Sequence, residues 1–342
     1  MARTHYRAFQ AIGGGKLELV ERMIEEPQSG MVRVAVEACG VCHTDTMTVE
    51  GEFPGLTYPR VPGHEAVGRI DAIGPGVEDR TIGQRVGVGF PTGRCGICPR
   101  CRRGDFVNCV NQRITGFDVD GGYAEMMMAN QHALVSIPDE LGSVDAAPLQ
   151  CAGVTTFNAL RKSIARAGDL VAILGIGGLG HLAVQFARHM GFRTVAIDVG
   201  ADRKDAAIAL GAQLYIDSSA TDPAAALTEM GGANVIVATA SKPSIFGGLV
   251  KGLIPRGQMI LVGAGPEPVT LDVADMLFGE RKIAGTANGS PIEVEDTLNF
   301  SVLEDIRAKI EPMPFERAPE AYAKMLAGLA RFRIVLDMTA TG

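Results

Sequence analysis

Four of the seven cysteines, Cys95, Cys98, Cys101 and Cys109, fall in GRCGICPRCRRGDFVNC with the spacing C-x2-C-x2-C-x7-C. Four thiolates on one short loop can hold a metal ion. A structural zinc takes four soft ligands at about 2.3 Å in a tetrahedron, and two-residue gaps let a knuckled loop supply them. Gly93, Gly96, Pro99 and Gly104 provide the turns such a loop needs. Thiols clustered by packing alone belong in apolar runs, whereas these sit among Arg, Gly and Pro. Ligation by four thiolates suits an iron–sulfur cluster as well. A DNA-reading finger fits less well, because its ligand pairs surround a recognition helix and this chain offers no extended basic face. The expectation is a structural zinc lobe over residues 93–110.

Cys39, Cys42 and Cys151 remain. Cys42 stands in ACGVCHTD, His64 and Glu65 follow in VPGHEAVG, and Cys151 lies far off in LQCAGVTTF. Two cysteines and a histidine form a ligand set used by catalytic zinc, with the fourth position left for water or substrate. Spacing does not bring the three together. Each also has a plainer reading as a buried thiol or a histidine satisfied in a turn. Cys39, three residues before a candidate ligand in a β-rich run, reads as a packed thiol.

A second chemistry-bearing stretch is GIGGLG. It follows the apolar run LVAIL and opens a helical pattern, and RTVAID then ends in Asp198, 23 positions after Gly175. This is the context of a dinucleotide site: Gly175 for the tight turn, Gly177 for approach to the pyrophosphate, Gly180 for packing of helix on strand. The helix N-terminus adds amides and the positive end of its dipole. Asp198 would accept hydrogen bonds from the adenosine ribose and repel a 2′-phosphate, which favours NAD over NADP.

The elements that must position these groups follow from texture. MVRVAVEA, EAVGRIDAI and RVGVGF cluster Val and Ile between turn residues and read as strands of a mostly antiparallel domain. From about Leu170, LVAIL, RTVAID, QLYID, ANVIVATA, GQMILVGA and RKIAGT alternate with helical stretches such as ADRKDAAIAL and PSIFGGLVKGL. That alternation predicts βαβ units and a parallel sheet covered on both faces. The segment from Asn288 returns to mixed helix and closes on RFRIVLDM, a strand. At 342 residues, 46% hydrophobic and 21% charged, the composition is that of a two-domain globular chain. A formal net charge of −7 argues against coating nucleic acid or anionic lipid. Leu170–Ala187 has the length of a membrane span, but four glycines, a His and a Gln oppose that reading. MARTHYRAFQ lacks the apolar core of a secretory signal, so a cytoplasmic protein without membrane or nucleic-acid partners is expected. In that compartment cysteines serve metals or catalysis before disulfides.

Taken in order, ACGVCHTD, PGHEAVGRI, the four-cysteine stretch, LQCAGVT, GIGGLG and the terminal RIVLD resemble the zinc-dependent medium-chain alcohol dehydrogenases over nearly the full length. The resemblance implies a β-rich GroES-like catalytic domain over residues 1–151 and 288–342. It places a Rossmann doubly wound parallel-sheet domain over residues 152–287. It implies two zinc ions per chain, with Cys42, His64 and Cys151 holding the catalytic one, and NAD as the cofactor. Glu65 matches an acid beside that metal, Asp45 a carboxylate that orients the zinc-bound histidine, and Thr44 the hydroxyl that takes the alcohol proton. His43 and Arg333 match pyrophosphate contacts and Thr155 a residue against the nicotinamide. Gly178, Leu179, Arg203 and Val262 complete the expected cofactor contacts, and Phe53 and Phe90 fall at walls of the substrate pocket. The implied reaction is hydride exchange between the cofactor and a small alcohol, aldehyde or ketone in a homodimer or homotetramer.

The chain departs from the family at Met47, where many members carry a proton-relaying histidine. A thioether cannot shuttle protons, so the proton is expected to leave Thr44 for water without a side-chain relay at 47. A Met47→His variant should keep its pH–rate profile within about twofold; a large change would count against free exit. Other readings on the same scaffold are zinc-assisted reduction of conjugated aldehydes, activated alkenes or imines, since function lives in the pocket. A non-catalytic dinucleotide sensor is a third, but a sensor has no need to keep the three ligands, Thr44 and Asp45 intact.

Overall fold

The computed structural model describes residues 3–51 and 53–340. In chain order the strands are β1 His5–Ala11, β2 Leu17–Met23, β3 Met31–Val41, β4 Ala66–Ile73, β5 Arg85–Val88, β6 Met126–Asn130 and β7 Leu134–Ser136. They continue with β8 Leu170–Leu174, β9 Arg193–Asp198, β10 Leu214–Asp217, β11 Ala233–Ala238, β12 Leu253–Leu261 and β13 Lys282–Gly285, then β14 Ile310–Pro314 and β15 Arg333–Asp337. The chain divides into two compact units. One comprises Met1–Cys151, Asn288–Leu303 and Arg307–Gly342, the other Ala152–Ala287 and Glu304–Ile306.

The first unit is built on β3. Its Val32, Val34 and Val36 alternate into the core, as a half-buried strand requires. Cys39, Gly40 and Val41 at its end are all buried, because there the strand runs into the interior. The sheet order is β14-β15-β3-β4-β5-β7, with β6 also on β3. β15 pairs antiparallel with β3, Ile334 opposite Val41, and only β14 and β15 run parallel. The C-terminal strand therefore lies beside the segment that leads to Cys42. β1 and β2 form a separate antiparallel hairpin, joined through glycines that adopt positive φ at Gly13, Gly14 and Gly15.

The second unit carries a six-stranded sheet in the order β10-β9-β8-β11-β12-β13, and every pairing in it is parallel. β8 is buried at all five positions, as expected for a central strand covered on both faces. The order reverses beside β8, where the chain turns through Gly175 into the helix Gly180–His189. A switch point of this kind opens the crevice used by ligands of doubly wound sheets. The apolar window from Leu170 is thus strand, turn and helix. No helix among the described residues is long and apolar enough to cross a membrane. PSIFGGLVKGL is three short turns rather than one helix, Pro243–Ile245, Phe246–Leu249 and Val250–Gly252. Its paired glycines weaken helical preference, and a methyl on Gly247 would overlap the Thr270 carbonyl oxygen.

Candidate active site

Cys42 follows β3 directly, His64 and Glu65 lie in the loop entering β4, and Cys151 ends the turn Ala147–Gln150. One donor atom from each of these four residues lies within 4.8 Å of the others. The short turn His43–Asp45 exposes His43, half-buries Thr44 and buries Asp45. Asp45 Oδ1 lies 2.9 Å from His64 Nδ1, and its Oδ2 accepts from the Cys42 amide and the Tyr123 hydroxyl, each at 2.9 Å. With Nδ1 engaged, His64 Nε2 is buried without a hydrogen-bond partner. The Phe90 ring stands edge-on to the imidazole at 5.6 Å.

The electrostatics of the group are those of a cation site. The hydrogen bond from Cys151, with help from His64, holds the Cys42 thiol well below its usual range, while the same bond and burial push Cys151 up. Burial works against a charged His64, but Asp45 and Cys42 outweigh it and hold its pKa up. Two sulfurs and an otherwise orphaned imidazole nitrogen, backed by a carboxylate, fit a zinc ion with an open fourth position. Glu65 is fully buried and meets the guanidinium of Arg333, whose Nη2 reaches its two oxygens at 2.5 and 2.6 Å. Burial pushes Glu65 up to about 7 against the opposing pull of Arg333. The structure thus places Arg333 on Glu65, whereas the sequence resemblance assigned it to the cofactor pyrophosphate.

In the four-cysteine lobe, Cys95 Sγ lies 3.6 Å from Cys109 Sγ and 4.0 Å from Cys101 Sγ. Metal–sulfur bonds of about 2.3 Å give a tetrahedron an edge of about 3.8 Å, and the two separations bracket it. Backbone amides of Ile97 and Cys98 bring Cys95 down to about 6, and amides of Cys101 and Val110 lower Cys98. Burial pushes Cys101 up to about 12. The amide donors favour thiolates, the form a metal binds, and none of the four is in a disulfide. Their arrangement fits a structural zinc.

Asp198 ends β9 beside the glycine turn. Its Oδ2 accepts from the Ile176 amide at 2.8 Å and from Arg203 Nη1 at 3.1 Å, and its Oδ1 from the Val199 amide at 2.8 Å. Arg203 Nη1 also donates to the Ile176 carbonyl at 2.9 Å. Gly175 has φ +90°, and a methyl on Gly180 would overlap the Gly175 carbonyl oxygen. At Gly177 a methyl would meet only Arg203 Nη1, at 3.9 Å, so its backbone stays open to a ligand. Gly178 and Leu179 follow it, and Leu179 caps the helix Gly180–His189. Val262 stands just past β12 and donates to the Ala238 carbonyl at 3.0 Å. Thr155 is buried on the helix Ala152–Arg161.

Three features escaped the sequence reading. Tyr123 carried no spacing signal toward Asp45, the Arg333–Glu65 pair required the β15–β3 register, and Phe117 was not singled out. Phe117 meets Phe53 edge-on at 6.4 Å, with Phe53 half exposed.

Comparison with known proteins gives a consistent result. Residues 28–139 match the alcohol dehydrogenase GroES-like domain and residues 178–302 the zinc-binding dehydrogenase domain. An alcohol dehydrogenase of Penicillium expansum is 40% identical, with 98% of each chain covered. A cinnamyl alcohol dehydrogenase from Sorghum bicolor superposes with a TM-score of 0.91 at 29% identity over 99% of each chain. The structure of a CAD from Helicobacter pylori complexed with NADP(H) gives 0.89 at 26% identity over the whole of both chains.

Proposed function

Because the chain belongs to the zinc-dependent medium-chain alcohol dehydrogenase family, we propose that it interconverts alcohols with aldehydes or ketones using NAD. The observation that carries this reading is the convergence of Cys42, His64 and Cys151 around an unpartnered His64 Nε2 held by Asp45. Zinc bound there supplies Lewis-acid polarisation of the substrate oxygen, and the nicotinamide supplies or accepts hydride. Cys42, His64 and Cys151 hold that ion, and Cys95, Cys98, Cys101 and Cys109 hold a second one with no part in the chemistry. Asp45 keeps Nδ1 of His64 engaged so that Nε2 faces the donors. Thr44, half-buried next to Asp45, takes the alcohol proton at its hydroxyl. Met47, three residues on, offers that proton no relay at its own position.

NAD is preferred to NADP because Asp198, a half-buried, hydrogen-bonded carboxylate at the end of β9, would repel a 2′-phosphate brought to the adenosine ribose. His43 and Arg333 remain the expected pyrophosphate partners and Thr155 the nicotinamide neighbour. Arg333 would have to share its guanidinium with Glu65. The Phe53–Phe117 pair and the similarity to a cinnamyl alcohol dehydrogenase favour a second substrate class, conjugated aryl aldehydes, on the same machinery.

The deciding experiment is a rate series with NADH and NADPH over short and long aldehydes and ketones, before and after chelation. NADH-dependent reduction that chelation abolishes is expected, and the best carbonyl sizes the pocket. No turnover from a protein holding two zinc ions per chain would turn attention to conjugated alkenes and imines.

The cytoplasmic protein is expected to be a homodimer or homotetramer. β13 is one of the two edge strands of the parallel sheet, β10 the other. The preceding helix Val273–Gly279 exposes Val273, Leu277 and Phe278, an apolar edge that invites pairing. Light scattering should give at least twice the chain mass of 36.0 kDa. A monomer at working concentration would dispose of the assembly.

A further inference from the structure

We propose that Tyr123 is a positioning residue for the reactive metal, acting through Asp45; the inference rests on the zinc reading of Cys42, His64 and Cys151. Tyr123 is fully buried. Its ring packs so closely that a methyl on Gly63 would come within 2.5 Å of it. Packing alone would be served by phenylalanine, since a buried hydroxyl must find a partner to be tolerated. The partner is Asp45 Oδ2, at 2.9 Å.

That bond completes a three-point hold on one carboxylate. Oδ1 engages His64 Nδ1, and Oδ2 takes both the Cys42 amide and the Tyr123 hydroxyl. A carboxylate gripped on both oxygens cannot rotate, and its orientation fixes the imidazole plane and directs Nε2 toward the thiols. The main chain around Tyr123 holds the same loop a second way. Gly121, Gly122 and Tyr123 donate from their amides to the carbonyls of Val61, Gly63 and Pro62 at 2.8, 2.9 and 3.0 Å. Tyr123 thus ties the segment that carries His64 to the turn that carries Asp45. The backbone tie survives removal of the hydroxyl, so Tyr123→Phe isolates the contact with Asp45.

The test follows zinc release from the full zinc-loaded chain to a chromogenic chelator, in wild type, Tyr123→Phe, Asp45→Asn and the double variant. Losing a partner that orients a ligand typically costs ten- to a hundredfold in metal affinity. One zinc per chain should therefore leave about ten- to a hundredfold faster in Tyr123→Phe, while the other keeps its wild-type phase. The double variant should release that zinc no faster than Asp45→Asn, because the hydroxyl acts through Asp45. Cobalt substituted at the same site should show a shifted visible spectrum in Tyr123→Phe. Both phases accelerating together with a lower melting midpoint would make Tyr123 a packing residue and overturn the proposal. Wild-type release from Tyr123→Phe beside fast release from Asp45→Asn would overturn it too, with the zinc reading intact. Release unchanged in both variants would bring down the zinc reading itself, and the proposal with it.

Discussion

Replacing Cys42 with serine is expected to lower turnover by roughly a thousandfold, since loss of the metal removes several kcal/mol of charge stabilisation and each 1.4 kcal/mol is about tenfold in rate. The substitution exchanges one small side chain for another at a buried position, so the fold survives. What disappears is one of the two sulfurs that meet His64 Nε2 and Glu65. Metal analysis should find one zinc per chain instead of two, with the circular dichroism spectrum unchanged. On the proposed two-zinc reading the remaining ion would be the one held by Cys95, Cys98, Cys101 and Cys109. A serine variant that turned over at wild-type speed with both ions in place would remove Cys42 from the mechanism.

Asp198→Ala should reverse the choice of cofactor. On the proposed NAD reading the carboxylate would repel a 2′-phosphate by like charge, and it also occupies Arg203 Nη1 at 3.1 Å. Its removal ends the repulsion and frees a guanidinium suited to phosphate. Hydrogen bonds to charged groups are worth about 1.5–3 kcal/mol each. The ratio of kcat/KM for NADH over NADPH should therefore fall by about a hundredfold, part of it from the lost ribose contact. The Ile176 and Val199 amides would turn to water or to the ligand. Steady-state rates with both cofactors at one fixed aldehyde concentration decide the matter. If the ratio does not move, Asp198 serves the turn and its hydrogen bonds, and selection lies elsewhere.

The parts legible in the sequence were those whose signal is local. The four cysteines of the lobe lie within fifteen residues, and Cys95 and Cys109 end with their sulfurs 3.6 Å apart. The strand-turn-helix at Gly175 is equally local, because Gly180 sits where only hydrogen fits under the Gly175 carbonyl. The trio Cys42, His64 and Cys151 was open from spacing alone and was singled out only through the resemblance. Its members reach one point because β3 ends at Val41, β4 begins at Ala66, and a turn delivers Cys151. The Arg333–Glu65 pair was beyond spacing altogether, since it depends on β15 lying antiparallel on β3 with Ile334 opposite Val41. Tyr123 was illegible for the same reason. The β1–β2 hairpin, by contrast, is local enough to be legible in HYRAFQA and LELVERM around three glycines.

The sheet of the first unit joins residues near both ends of the chain, and this sets an order of events at the ribosome. Strands β3 and β4, Cys42 and His64 emerge before the parallel-sheet unit, and β15 emerges after it. The intervening unit uses only Ala152–Ala287 and Glu304–Ile306, so it can close while synthesis continues, as compact units do. Until β15 docks, β3 presents an open edge and Glu65 lacks its arginine. The nascent chain thus carries Cys42 and Glu65 beside an unfinished sheet until Arg333 is made and β15 docks. A truncation that stops before Arg333 is not a shorter enzyme but one halted at that stage.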